Sequence, residues 1–94
     1  MAIIKWLPEA KDDLLRLYEF ILPHSSQAAN RAITIILEHV DILAEFPETG
    51  RPWEPDPIYR ELYVRFGAKG YAVRYRLSED HVIIVRVWHS LEDR

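Results

Sequence analysis

Tyr59-Arg60-Glu61-Leu62-Tyr63-Val64-Arg65-Phe66, Tyr71-Ala72-Val73-Arg74-Tyr75-Arg76-Leu77 and Val82-Ile83-Ile84-Val85-Arg86-Val87-Trp88-His89 are three runs rich in β-branched and aromatic residues. Gly67-Ala68-Lys69-Gly70 and Ser78-Glu79-Asp80-His81 separate them, as hairpin connections do. Side chains alternate faces along a strand. That alternation predicts a core face of Leu62, Val64, Phe66, Tyr71, Val73, Tyr75, Ile83, Val85 and Val87. The opposite face carries Tyr63, Arg65, Arg74, Arg76, Arg86 and Trp88. One side of the sheet is thus a candidate core, and the other, arginine with aromatic, is a candidate contact face.

The segments before these strands complete the pattern. Ala2–Trp6 is a short strand candidate. Pro8 suits a first helical turn, and Glu9, Asp12 and Asp13 favour a helix N-terminus. Leu7, Ala10, Leu14, Leu17 and Ile21 recur at helical spacing, predicting a helix to about Leu22, ended by Pro23. Ser25 or Ser26 caps a second helix from about Gln27 to Phe46. Its apolar residues cover an arc of roughly 220°, more than one sheet contact needs. The remainder must meet the first helix or a partner. His39, inside the arc, is expected to be a hydrogen-bonded structural residue. Residues 47–58 hold four prolines and a glycine and read as a loop without regular structure. The order β-α-α-β-β-β implies an α+β, two-layer single domain over residues 1–94. A small antiparallel sheet has a helix hairpin on one face.

Composition narrows the function. The chain has 94 residues, no cysteine and a net charge of −3. Generic polyanion binding and thiolate metal sites are disfavoured, and no cofactor or metal is expected. No apolar run reaches the length of a membrane span, and the N-terminus lacks the pattern of a signal peptide, so a cytoplasmic protein is expected. The charge is uneven: −4 over residues 1–50, +3 over 51–76 and −2 over 77–94. The basic block falls on the first two closing strands and the loop before them. Arg51 and Arg60 flank that loop. Each could grip a partner's carboxylates or fix the loop through backbone carbonyls and nearby glutamates; for Arg51 the structural role is favoured. Trp53 is either a plug over the core edge or an interface anchor.

Trp6-Leu7-Pro8-Glu9-Ala10, then Asp13-Leu14, then Tyr18 with Ile21 open a longer series of matching elements. Phe46-Pro47-Glu48-Thr49-Gly50-Arg51, Tyr59-Arg60-Glu61-Leu62, Gly70-Tyr71 with Tyr75-Arg76, and Ile84-Val85-Arg86-Val87-Trp88-His89 continue it. In this order the chain resembles the RelE/ParE superfamily of toxins from type II toxin–antitoxin (plasmid stabilisation) systems. The resemblance implies a cognate antitoxin and a hetero-oligomer with it. One branch of the family cuts messenger RNA on the ribosome; the ParE-like branch poisons DNA gyrase.

Metal-free RNA cleavage needs a proton acceptor for a 2′-OH and cations on the phosphate. His89 and Arg74 are the candidate catalytic residues if the chain is a ribonuclease, with Arg76 and Arg86 as further cations. Tyr63 and Trp88 could stack on bases. Against this, Ala72 stands where the nuclease branch often has arginine, and Ser90-Leu91-Glu92-Asp93 where it often has a basic stretch. By alternation His89 also falls on the helix side with Val87. The ending Arg86-Val87-Trp88-His89-Ser90 looks more like the ParE branch. The expected function is therefore a toxin that inhibits gyrase by binding. Its target or antitoxin contacts are Arg51, Arg60, Tyr63, Arg65, Arg74, Arg76, Arg86 and Trp88. The alternatives are a ribosome-dependent mRNA endoribonuclease and a non-toxic antitoxin-binding module.

Overall fold

A computed structural model of the chain describes residues 1–92; Asp93, part of the acidic ending noted above, lies outside them. Strand β1 (Ile3–Trp6) leads directly into helix α1 (Pro8–Ile21), with Pro8 at its first turn and Glu9 beside it. Helix α2 (Ser26–Ile42) follows. Its N-cap is Ser25, whose hydroxyl oxygen accepts from the Ala28 N–H at 3.1 Å. The helix ends at Ile42 rather than Phe46. Tight turns carry the chain on, with the Phe46 N–H donating to the Ile42 carbonyl. His39 Nδ1 lies 2.8 Å from the carbonyl of Ile35, one turn back, so the residue is a structural one.

The sheet has five strands in the order β1-β5-β4-β3-β2. Strands β3 (Tyr59–Phe66), β4 (Lys69–Ser78) and β5 (His81–His89) form the expected antiparallel meander. Two features were not in the sequence reading. β1 pairs parallel to β5, so the sheet is mixed. A two-residue strand, β2 (Arg51–Pro52), forms inside the proline-rich segment and pairs with β3. Pro52 is tolerated there because β2 is the edge, where a missing N–H breaks no ladder.

Both helices lie on one face. Ala10 and Leu17 of α1 and Ala32, Ile36 and Val40 of α2 meet Leu62, Val64, Tyr71, Val73 and Tyr75 in one apolar cluster. On β5 the inward residues are Val82, Ile84 and Val87, not Ile83 and Val85 as simple alternation predicts. The cause is a β-bulge: Arg74 pairs with Arg86, but Tyr75 pairs with Ile84, leaving Val85 unmatched. An extra residue reverses the facing of everything before it. Ile83 therefore lies on the outer face, between its register partners Lys5 and Arg76. Much of the α2 arc is covered by α1 and β3, while Leu37, Ile42 and Phe46 stay exposed.

Tyr75 ties the proline-rich segment to the core. Its buried hydroxyl donates to the Pro47 carbonyl and accepts from the Gly50 N–H, both at 2.8 Å. Burial raises its pKa above the ordinary value, so the group remains a donor at neutral pH. A Cβ on Gly50 would sit 2.7 Å from Tyr75 Cε1 and Oη and 2.9 Å from the Glu61 carbonyl oxygen. Gly50→Ala is therefore expected to destabilise by about 1–3 kcal/mol through overpacking. Tyr75→Phe should cost about 1–3 kcal/mol by stranding two buried backbone groups. Because Tyr75→Phe removes one of the clashing atoms, Gly50→Ala should cost less in that background. Urea melts of the two single variants and the double variant check this; strict additivity would contradict the clamp.

Candidate functional site

The face away from the helices is built by register. Arg74 of β4 stands beside Glu61 of β3 on one side and Arg86 of β5 on the other. Ala72 stands between Tyr63 and Trp88. Trp53, on the loop after β2, folds over this surface. Its ring centroid lies 3.7 Å from the Arg74 guanidinium carbon, and the Trp88 ring lies 4.6 Å from the same carbon. Arg86 comes within 5.1 Å of Trp88. Indole and guanidinium thus alternate in a ladder: Trp53, Arg74, Trp88, Arg86. Trp53 stacks on Arg74 on the outer face rather than over the core edge, so the indole closes one end of the ladder.

The cations of the ladder are paired. Arg74 Nε and Nη2 lie 2.9 Å and 2.7 Å from Glu61 Oε2. Arg86 reaches around the sheet edge beyond the end of β1, where Asp13 of α1 waits. Its Nε donates to Asp13 Oδ2 at 2.7 Å and its Nη2 to Oδ1 at 3.1 Å. Asp13 also accepts from the Val87 N–H at 2.8 Å and from Arg16 Nη2 at 3.2 Å. Only 4 % of Asp13 is exposed. Burial alone would raise its pKa, but the hydrogen bonds from Arg86, Val87 and Arg16 outweigh that and hold it below the ordinary 3.8. The same pairing raises the pKa of Arg86, against the opposing effect of its partial burial.

The remaining candidates are spread out. Arg60 turns to the loop and donates to the carbonyls of Gly50 at 2.7 Å and Glu48 at 3.3 Å. The loop-fixing role foreseen first for Arg51 thus belongs to Arg60, and Arg51 is exposed on β2. Arg76 is half-buried, and Arg65 is exposed. Tyr63 is 55 % exposed, its ring lying over Gly70, where an added Cβ would be 2.7 Å from Cζ and Oη. Arg51, Trp53, Glu54, Glu61, Tyr63 and Ala72 border a trough of about 370 Å³.

His89 lies on the other side of the sheet. It is in register with Tyr71, whose side chain is in the core, and the two rings meet edge to face at 5.4 Å. Its Nδ1 accepts from the Leu91 N–H at 3.1 Å. With Leu17, Phe20, Phe66 and Tyr71 it lines a mostly apolar groove of about 960 Å³ beside α1. Glu92 closes one end by accepting from the His89 N–H and pairing with Arg16. Arg74 and His89, the candidate catalytic pair, therefore point to opposite faces. No three His, Asp or Glu side chains converge as a metal site among the described residues.

Sequence reasoning missed Asp13, Glu61 and the groove. A signal for Asp13 existed: it falls at helical spacing between Ala10 and Leu17, an acid within the buried stripe of α1.

A family model described as "ParE toxin of type II toxin-antitoxin system, parDE" matches residues 4–94. Toxin RelE3 of Caulobacter vibrioides is 44 % identical over 94 residues, covering 100 % of both chains. Toxin RelE1 of the same organism is 36 % identical over 85 residues, covering 90 % of this chain and 89 % of that one. Among solved structures, a chain of the "Chromosomal ParDE TA system from P. aeruginosa" superposes with a TM-score of 0.79 at 25 % identity, covering 95 % of this chain and 96 % of that one. Sequence and fold together make this chain a member of the RelE/ParE superfamily of type II toxin–antitoxin toxins, matched by the ParE toxin family model.

Proposed function

We propose that this toxin acts by binding DNA gyrase, and that a cognate antitoxin neutralises it. The observation that carries the reading is the separation of Arg74 and His89 by the thickness of the sheet. Cleavage of RNA at a 2′-OH needs the proton acceptor and the phosphate clamp at one reacting centre. Here two of the three clamp candidates, Arg74 and Arg86, are held by Glu61 and Asp13, and the proton acceptor faces the helices. A binding toxin needs only a complementary surface, and the ladder with Tyr63, Arg65 and Arg51 beside it supplies a rigid one. Rigid aromatic and arginine side chains are what energetic centres of protein interfaces are made of.

The names of the curated relatives favour the nuclease reading instead, so the test must separate the two. Purified toxin is expected to suppress supercoiling by gyrase, with recovery when the antitoxin is supplied. Ribosome-programmed mRNA should stay uncut in primer extension. Codon-phased cuts that disappear in both Arg74→Ala and His89→Ala would overturn the proposal.

A further inference from the structure

The outer edge of β3 is open beyond β2. Odd-numbered β3 residues direct their backbone groups away from β4: the Trp53 N–H donates to the Tyr59 carbonyl, and Arg51 is in register with Glu61. Gly70, opposite Arg65, turns its own groups to Ser90 on the far side. Tyr63 and Arg65 therefore present N–H and C=O outward, since antiparallel pairs alternate in this way. β2 ends in register with Glu61, and among the described residues nothing bonds those outward groups.

An unpaired row of backbone groups templates another strand. The side chains select which strand fits. In an antiparallel pairing of β3 with a second copy of itself, centred on Val64, Tyr63 of each chain faces Arg65 of the other. Each such pair exchanges both backbone bonds. On the outer face each guanidinium meets an exposed tyrosine ring, a cation–π contact. Glu54, lining the trough beside Tyr63, adds negative charge near where the incoming arginine lands; Glu61 there is already paired with Arg74, and Arg51 lines the same trough. On the inner face Leu62 comes opposite Phe66, while Val64, on the two-fold axis, is already covered by its own chain and adds no contact. An arginine on a sheet edge ordinarily repels foreign strands; here the same residue is complementary to this chain's own edge.

We infer that two copies of this chain pair through β3, in an isologous contact that joins their sheets. The contact shares Tyr63 and Arg65 with the proposed target surface, but its test reads self-association alone and stands or falls separately from the target. Sedimentation velocity of the full chain over a rising concentration series is expected to show a reversible dimer. Arg65→Glu sets the new acid near Glu54 and removes the cation from Tyr63. Tyr63→Arg sets like charges opposite one another. Each change acts twice across the two-fold axis and should weaken the dimer about tenfold. The double variant, Tyr63→Arg with Arg65→Glu, places opposite charges at both pairs and should recover the dimer. Thermal melts confirm that each variant is folded. A monomer at every concentration, a dimer indifferent to both single changes, or a double variant no better than Arg65→Glu would each overturn the proposal. The first is also the result if a strand from another protein occupies the edge.

Discussion

Asp13→Ala is expected to lower stability by about 2–4 kcal/mol, measured by urea unfolding. The carboxylate sits where β5 has outrun β1, and it does for Val87 what a neighbouring strand would have done, accepting its N–H. It also fixes Arg86 at two points and Arg16 at a third. Removing it strands a buried N–H and an arginine head together. Breaking a fully buried pair typically costs about 3–5 kcal/mol. Arg86 retains some access to water, which shifts the expected loss toward and just under the lower end of that range. The substitution should also loosen the ladder, because Arg86 is its terminal rung.

The pH dependence follows in sign. Asp13 titrates lower in the folded chain than in the unfolded one. Its contribution is therefore complete above the ordinary value of 3.8 and is lost as pH falls through the depressed folded value. Acid unfolding of the native chain should be steeper in that window than unfolding of Asp13→Asn. Asparagine keeps the shape but sets amide donors against Arg86, so it should also be less stable at neutral pH. Equal acid sensitivity in the two chains would mean that Asp13 is not the charge that matters.

Much of the fold is legible because it is written in period. The helices announce themselves through three- and four-residue spacing and through Pro8, Pro23 and Ser25; the meander does so through Gly67 and the turn at Glu79-Asp80. The site is less legible, for a physical reason. An arginine's face follows from alternation, but its partner does not. Alternation puts Arg86 on the outer face, where it lies, yet Asp13, its partner, is 73 residues away on the opposite layer. Nothing in the pattern around Arg74 shows that Glu61 and Trp53 already hold it. Arg60, not Arg51, binds the loop because β2 turns Arg51 outward, and a two-residue strand containing proline leaves no periodic trace. Alternation places His89 on the helix side, as found, because the bulge lies before it in the register, between residues 84 and 86.

That bulge yields the other large expected effect. Val82-Ile83-Ile84-Val85 is apolar at every position, so the sequence supports either facing equally well. Only the match to β4 decides, and it places Ile84 wholly inside the core and leaves Val85 at the bulge, partly exposed. Ile84→Ala should therefore cost about 2–5 kcal/mol, the range for deleting a buried isoleucine whose surroundings cannot collapse. Val85→Ala should cost under about 1 kcal/mol, since little buried surface is lost. Unbroken alternation requires the opposite ranking. Urea midpoints at a common denaturant slope read the difference directly. A reversed order would mean unbroken alternation with no bulge at Val85; Arg86 and Trp88, which follow the bulge, keep the outer face either way, so the ladder is set by the register of Arg74 with Arg86 and not by the facing of Ile84.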